Sequence, residues 1–211
     1  MTGSAESPRP RRTQQERRAA TVAKLVDATI AAIGDMGYQR ATVQEICGRA
    51  GLSVGAMFRQ FDSRLDLIVR TSEEVFARQL DAYRALMEHL GAQDDSLDVA
   101  LRFLREAQSS YLTYALREIY LAARSDAELR TRIEPTVASY YAEVIAGVEQ
   151  TGVLRRFPPH LREAMFFLVL HLFSGEAIVR PVYSRPDLEA SMLALVEDML
   201  TTYADSLPSE D

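Results

Sequence analysis

The chain has 211 residues, 47% of them apolar, with a formal net charge of −6 and one cysteine. This length and apolar share suit one or two globular domains with a sizeable core and exclude a disordered chain. A lone cysteine excludes an internal disulfide framework and fits a reducing cytoplasm, and the longest purely apolar run, residues 164–170, is far short of the about 18 residues of a membrane span.

The charge is unevenly spread. Residues 1–60 hold nine Lys and Arg against five Asp and Glu, net +4; residues 61–211 hold 15 against 25, net −10. A basic N-terminal third beside an acidic remainder is the asymmetry of a DNA-contacting head on a body with another task. Chance fluctuation of charge along the chain is the plainer alternative.

Residues 1–12 carry two prolines and three arginines. They read as a disordered basic arm, either contacting phosphates or the minor groove or merely an inert tail. No apolar segment of a secretory signal is visible there, so a cytoplasmic protein is expected. Thr13 caps the first long helix, with Glu16 completing a capping box. Val22, Leu25, Val26, Ile30 and Ile33 then form a helical stripe. Gly37 ends this helix, which should brace the two short helices after it.

Residues 42–64 read as a short helix, a tight turn and a second short helix. Thr42 is an N-cap, and Glu45 stands where it can close a capping box. Gly51 sits where a helix end wants positive φ, and Leu52 plugs the turn. Ser53 caps the next helix, whose Met57 and Phe61 point inward. Two short helices joined by a Gly-bearing turn make a helix-turn-helix, whose second helix reads the DNA major groove.

Ser63 and Asp66 open a fourth helix that continues to about Leu90, roughly 27 residues and about 40 Å long. Residues 91–96 mark a break. Beyond it lie a helix from Ser96, another over 111–123, a third over 126–150, a fourth from Pro158-Pro159 to 179, and a last one over 187–204. Pro135 should kink or interrupt the third of these. No strand alternation and no repeat appears. The expected fold is all-α. A disordered arm (1–12) and a three-helix helix-turn-helix head (13–62) lead by a long helix into an all-helical body for ligand binding and dimerisation (63–211).

The last two helices are apolar on more than one side. Phe166, Leu170, Phe173, Leu188, Met192, Leu195, Val196 and Met199 are the candidate dimer seam, with intramolecular core as the alternative. In the body, Tyr83, Met87, Phe103, Tyr111, Tyr114, Glu118, Tyr141, Phe167 and His171 are the candidate pocket, with plain core packing as the alternative. Arg117 beside Glu118, and His171 with Glu176 and Arg180, are ionisable groups on apolar helices; each set either anchors a ligand or pairs between helices.

Catalytic patterns are missing. The residues three before His89, His160 and His171 are Leu86, Phe157 and Leu168, so no Glu-x-x-His di-metal pair exists. There is no Gly-rich phosphate loop, no Gly-x-Ser-x-Gly elbow and no His-Glu-x-x-His, and the three histidines and one cysteine lack zinc spacing. Neither an enzyme nor a metal or other cofactor is expected. The remaining alternatives from other classes are a helical adaptor or a helical-bundle enzyme without DNA binding. An adaptor leaves the Arg-rich arm ahead of a capped helix-turn-helix unaccounted for.

Residues 14–70 closely resemble the head of the TetR family of one-component bacterial regulators. The resemblance is carried by Thr42, Ile46-Cys47, Ala50-Gly51-Leu52-Ser53, Met57-Phe58-Arg59-Gln60-Phe61 and Ser63-Arg64-Leu65-Asp66-Leu67. Beyond residue 70 it covers only length and helical layout. It implies a homodimer on a near-palindromic double-stranded operator, most commonly a repressor, released by a small-molecule effector. It also implies phosphate contacts from Thr42, Ser53 and Arg64, and base-edge contacts from Gln44, Val54, Gly55 and Arg59. Phe58 stands where the family has tyrosine and loses a phosphate-bonding hydroxyl. Gln60 replaces a histidine but still donates, and Arg64 replaces a lysine and keeps the charge. Cys47 replaces an alanine and packs as a small apolar group, a redox role being the alternative.

Overall fold

The computed structural model describes residues 13–90 and 97–207, the side chains of 86–90 excepted. The basic arm, the 91–96 break and the Met87 side chain lie outside the described residues. Among the described residues every regular element is helical. They are α1 (Gln14–Met36), α2 (Val43–Ala50), α3 (Val54–Phe58), α4 (Arg64–Leu90), α5 (Leu97–Gln108), α6 (Tyr111–Ala123), α7 (Ala127–Thr151), α8 (Pro159–Val179) and α9 (Pro186–Ser206). Two compact units divide inside the unbroken α4, between Thr71 and Ser72.

In the first unit the local signals act largely as the residues suggest. Thr13 Oγ1 accepts from the Glu16 N–H at 3.2 Å, and the Glu16 carboxylate accepts from the Thr13 N–H at 2.7 Å, a closed capping box. Thr42 Oγ1 accepts from the Glu45 N–H at 3.3 Å, but this box stays open. The Glu45 carboxylate is taken instead by Arg49 Nε, 2.7 Å away and one turn on, while Arg49 also reaches Asp35 at 2.5 Å. Gly51 stops α2 at φ 64°, ψ 36°, a left-handed conformation with no steric cost for glycine. The Leu52 N–H then closes the turn on the Cys47 carbonyl at 3.0 Å. Leu25, Ile33, Ile46, Met57 and Leu67 fill the centre, each fully buried. Cys47 is buried too, and burial pushes its thiol pKa up, so it packs as an inert apolar group.

Two apolar clusters stand out in the second unit among the described residues. One gathers Leu101 of α5, Phe157, Val169 and Phe173 of the α8 region, and Leu193 and Leu200 of α9. The other gathers Leu80 and Tyr83 of α4, Val144 of α7, and Phe166 and Leu170 of α8. At the second core α7 approaches α4 closely. A Cβ at Gly147 would stand 3.0 Å from the Tyr83 ring, so a larger residue there requires that ring to shift by a few tenths of an ångström. Arg105 ties α5 to α8 and α9: its Nε lies 3.0 Å from both Glu176 carboxylate oxygens and its terminal nitrogen is 3.5 Å from Glu189.

Pro135 does not interrupt its helix. α7 runs through it to Thr151, and the proline is on the exposed side, where the carbonyl it fails to bond is left to solvent.

Candidate nucleic-acid interface and internal cavity

The head presents the starts of two short helices outward. Ser53 Oγ accepts from the Ala56 N–H at 3.1 Å and holds the first turn of α3. Thr42, Gln44, Ser53, Val54, Gly55, Phe58 and Arg59 are all exposed, Phe58 at 49%. With Ala56 and Met57 turned inward, α3 is anchored on one side and free on the other. Two capped helix N-termini on such a surface suit phosphate, because their first N–H groups point out of the helix.

The cations of this unit fall into two groups. Arg49 is held by two carboxylates. Arg17, Lys24 and Arg59 are exposed and have no acidic partner among the described residues. Arg18 Nε donates to the Gln60 amide oxygen at 3.2 Å, which brings the start of α1 beside the end of the helix-turn-helix. That contact leaves the Gln60 amide nitrogen to donate elsewhere.

Arg64 is placed differently. It is half-buried, its Nε donates to the Ala41 carbonyl at 2.9 Å, and a terminal nitrogen donates to the Tyr38 carbonyl at 2.5 Å. Its guanidinium also lies over the Tyr38 ring, 4.4 Å from the centroid. These contacts clamp the segment that leads into the Thr42 cap.

The second unit holds a partly open cavity of about 460 Å³ between α4, α5, α6, α7 and α8, within the range of small-molecule sites. Its walls are aromatic and aliphatic, including Tyr83, Phe103, Leu116, Tyr120, Tyr140 and Tyr141. Two polar atoms of its lining residues, the Tyr83 hydroxyl and one terminal nitrogen of Arg117, are buried without a hydrogen-bond partner among the described residues, while the buried Tyr120 hydroxyl interacts with that of Tyr141. Burial raises the pKa of Tyr83, Tyr120 and Tyr140 well above the usual phenol, so all three stay protonated. Burial acts on Arg117 in the opposite sense and pulls its pKa below the usual guanidinium value.

Comparison with known proteins decides what such a pair of units is. Residues 25–71 match the family of bacterial regulatory proteins called tetR. The HTH-type transcriptional regulator Rv2912c of Mycobacterium tuberculosis is 34% identical over 190 residues, which is 90% of this chain and 97% of that one. The chain belongs to the TetR family. It is also 28% identical over 193 residues to the HTH-type transcriptional repressor KstR of Mycobacterium tuberculosis, covering 90% of this chain and 86% of that one. A solved TetR-family transcriptional regulator from Mesorhizobium loti has the same fold, with a TM-score of 0.68 at 18% identity, over 88% of this chain and 98% of that one. No described helix is long and apolar enough to cross a membrane.

This TetR-family chain brings only part of the expected pocket together. Tyr83, Phe103, Tyr141 and His171 line the cavity. Tyr111 is 45% exposed and outside it, and Glu118 is not on its wall. Tyr114 donates to the Ala177 carbonyl at 3.3 Å and lies under the Arg117 guanidinium, behind the wall. Phe167 also sits outside the lining, packed on the Tyr141 and His171 rings. Glu176 and Arg180 are engaged by Arg105, Glu189 and Ser109, so they pair between helices and do not face a ligand. Sequence reasoning missed Gln79 and Thr113, and it favoured Glu118 over Arg117. The missed signal was helical phase: Thr113, Leu116, Arg117 and Tyr120 recur at i, i+3, i+4, i+7, so Arg117 shares the inward side and Glu118 is turned away.

The expected seam also divides. Phe166, Leu170 and Phe173 are buried in the protomer's own cores and have no surface to offer a second copy. Leu188, Leu195 and Met199 are exposed, Leu195 at 57% and Met199 at 62%, with Met192 and Val196 half-buried. On α8 the outward large apolar residues are Leu168, Leu172, Ile178 and Val179.

Proposed function

We propose that this regulator binds a near-palindromic operator as a homodimer, represses from it, and is released when a small molecule occupies the body cavity. The observation that carries the reading is the exposed, capped start of α2 and α3, with Arg59 beside it lacking an acidic partner among the described residues. The head, residues 13–62, binds DNA. The rest, 63–211, binds the effector and dimerises, and its role is binding without catalysis. Thr42 and Ser53 seat phosphates on helix N-termini. Gln44 reads an adenine edge, Arg59 a guanine edge, and Val54 packs on a thymine methyl, with Gly55 permitting close approach. Gln60 and Phe58 flank this surface, Gln60 as a donor, and Arg17 and Arg18 extend it along α1. Arg64 retains donors for phosphate while it clamps the Thr42 loop.

The seam of the dimer is the exposed apolar side of α8 and α9, with Leu168, Leu172, Leu188, Leu195 and Met199 at its centre. A second copy suits it because an apolar side covers itself in a two-fold pair. It also suits the head, since one five-residue recognition helix reads only a half-site. Such a protein works in the cytoplasm, where the DNA is. Repression is favoured by the likeness to a repressor.

Fluorescence anisotropy with duplexes from the DNA flanking the protein's own gene, at two salt concentrations, tests the reading. Specific binding that weakens steeply with salt is expected. Arg59→Ala and Gln44→Ala should each cost about 1–3 kcal/mol and relax preference at particular base pairs. No binding at low salt by a folded protein would refute it.

A further inference from the structure

Arg117 is out of place unless something joins it. It sits on the inward side of α6, at the wall of an aromatic cavity. One terminal nitrogen donates to the Gln108 carbonyl at 3.2 Å, and the guanidinium lies 5.2 Å from the Tyr114 ring centroid. Its other terminal nitrogen is buried with no partner, and no carboxylate pairs with it among the described residues. Withdrawing one nitrogen of a half-buried cation from water without a partner is costly, and replacing the residue by an apolar one of similar volume would remove the cost.

The neighbouring polar groups share one bias. A guanidinium can only donate. The Tyr83 hydroxyl is also unpartnered, the Tyr120 hydroxyl interacts with that of Tyr141, and both remain protonated. Gln79 donates to Thr113 at 2.8 Å, and Thr113 donates to the Ala107 carbonyl at 2.6 Å, so those two are engaged. Glu106 and His171 line the cavity but are exposed. Away from Glu106 and His171 the lining therefore holds one fixed positive charge with an unused donor. Aromatic walls attract cations, but a guanidinium among them repels a second one.

We infer that the cavity takes a ligand with an aromatic or aliphatic body and a single oxyanion group, carboxylate or sulfonate, seated on Arg117 with the Tyr83 hydroxyl as a further donor. The inference rests on reading the cavity as the effector site and names the chemistry of the effector.

A matched pair of fluorescent dyes tests it. 8-Anilinonaphthalene-1-sulfonate and N-phenyl-1-naphthylamine share one skeleton and differ by the sulfonate. The wild-type protein should bind the anionic dye about 10- to 100-fold more tightly, the worth of charge-assisted hydrogen bonds withdrawn from water. Arg117→Gln should abolish that preference and leave the neutral dye within about threefold, while Arg117→Lys, which keeps the charge, should retain most of it. Leu112→Trp, which fills the cavity, should expel both dyes. Equal affinity of the wild type for the two dyes, equal loss of both in a folded Arg117→Gln protein, or dye binding that survives Leu112→Trp would overturn the inference. Should Arg117→Gln fail to fold, the wild type alone decides: 4-phenylbutyrate should displace the anionic dye and 4-phenylbutyramide should not, and equal displacement by both would overturn the inference. Release of bound operator is read separately by anisotropy. Arg117-dependent occupancy without release would leave the ligand class standing and sink the effector reading; release by uncharged compounds alone would do the reverse.

Discussion

The two units differ in how they handle polar groups, although Ser110 and Asp126 cap α6 and α7 of the body much as the head's helices are capped. In the head, helix starts are closed by Thr13, Thr42 and Ser53, and helix ends by Gly37 and Gly51. Its exposed polar side chains are held on a small packed core. In the body, α8 and α9 start on prolines without a side-chain cap, their outer sides are apolar, and a guanidinium with one unpartnered nitrogen lines a cavity. A surface that must meet a fixed external lattice, such as a DNA backbone, is served by rigid ends. A surface that receives a ligand or a second copy is served by groups whose partners the chain itself withholds.

That contrast can be broken from the body side without touching the head. Met199→Asp with Leu195→Asp should give monomers by sedimentation and lower operator affinity by about 10²- to 10⁴-fold, the gain from linking two half-site contacts. An unchanged dimer would move the seam elsewhere. From the head side, Met57→Ala removes a fully buried side chain and should cost about 2–5 kcal/mol of head stability. DNA binding should then fall while dye binding in the body cavity persists; loss of both together would mean the units are not independent.

Arg64→Ala sharpens the comparison within the head. Losing its two hydrogen bonds to the Tyr38 and Ala41 carbonyls should cost about 1.5–3 kcal/mol in thermal or chemical unfolding. A salt slope of DNA binding reduced by about one would add a phosphate contact to that clamp; an unchanged slope would leave it a clamp alone. The smallest effect is expected at Ser53→Ala, about 1 kcal/mol of stability from the lost cap. Ser53→Asp should restore the cap but repel phosphate, separating the two roles by anisotropy.

Much of this was legible along the chain because its causes are local. A cap and its N3 residue, or a glycine at a helix end, act over one turn, so α6 spans the residues its sequence suggests, and α4 runs unbroken to Leu90. Local reasoning failed where two partners competed. Glu45 could serve Thr42 or Arg49, and the charged partner won. Pro135 could break α7, but a helix already nucleated on both sides carries one lost bond at its exposed side.

Arg59 and Arg64 mark the limit of motif reading. The motif names both as cations near DNA, yet one extends to solvent and the other turns back onto two carbonyls. The same limit decided the seam. Phe166 and Leu195 are equally apolar in sequence, and only the packing of α4 and α7 against α8 covers the first and leaves the second bare.

By itself the sequence determined the helices, their caps, the helix-turn-helix and the family, since each depends on residues within a few positions of one another. Tertiary structure decided which way each helix turns. Successive helical positions point about 100° apart, so Arg117 faces the cavity and Glu118 does not. That angle is set by five helices closing around one space.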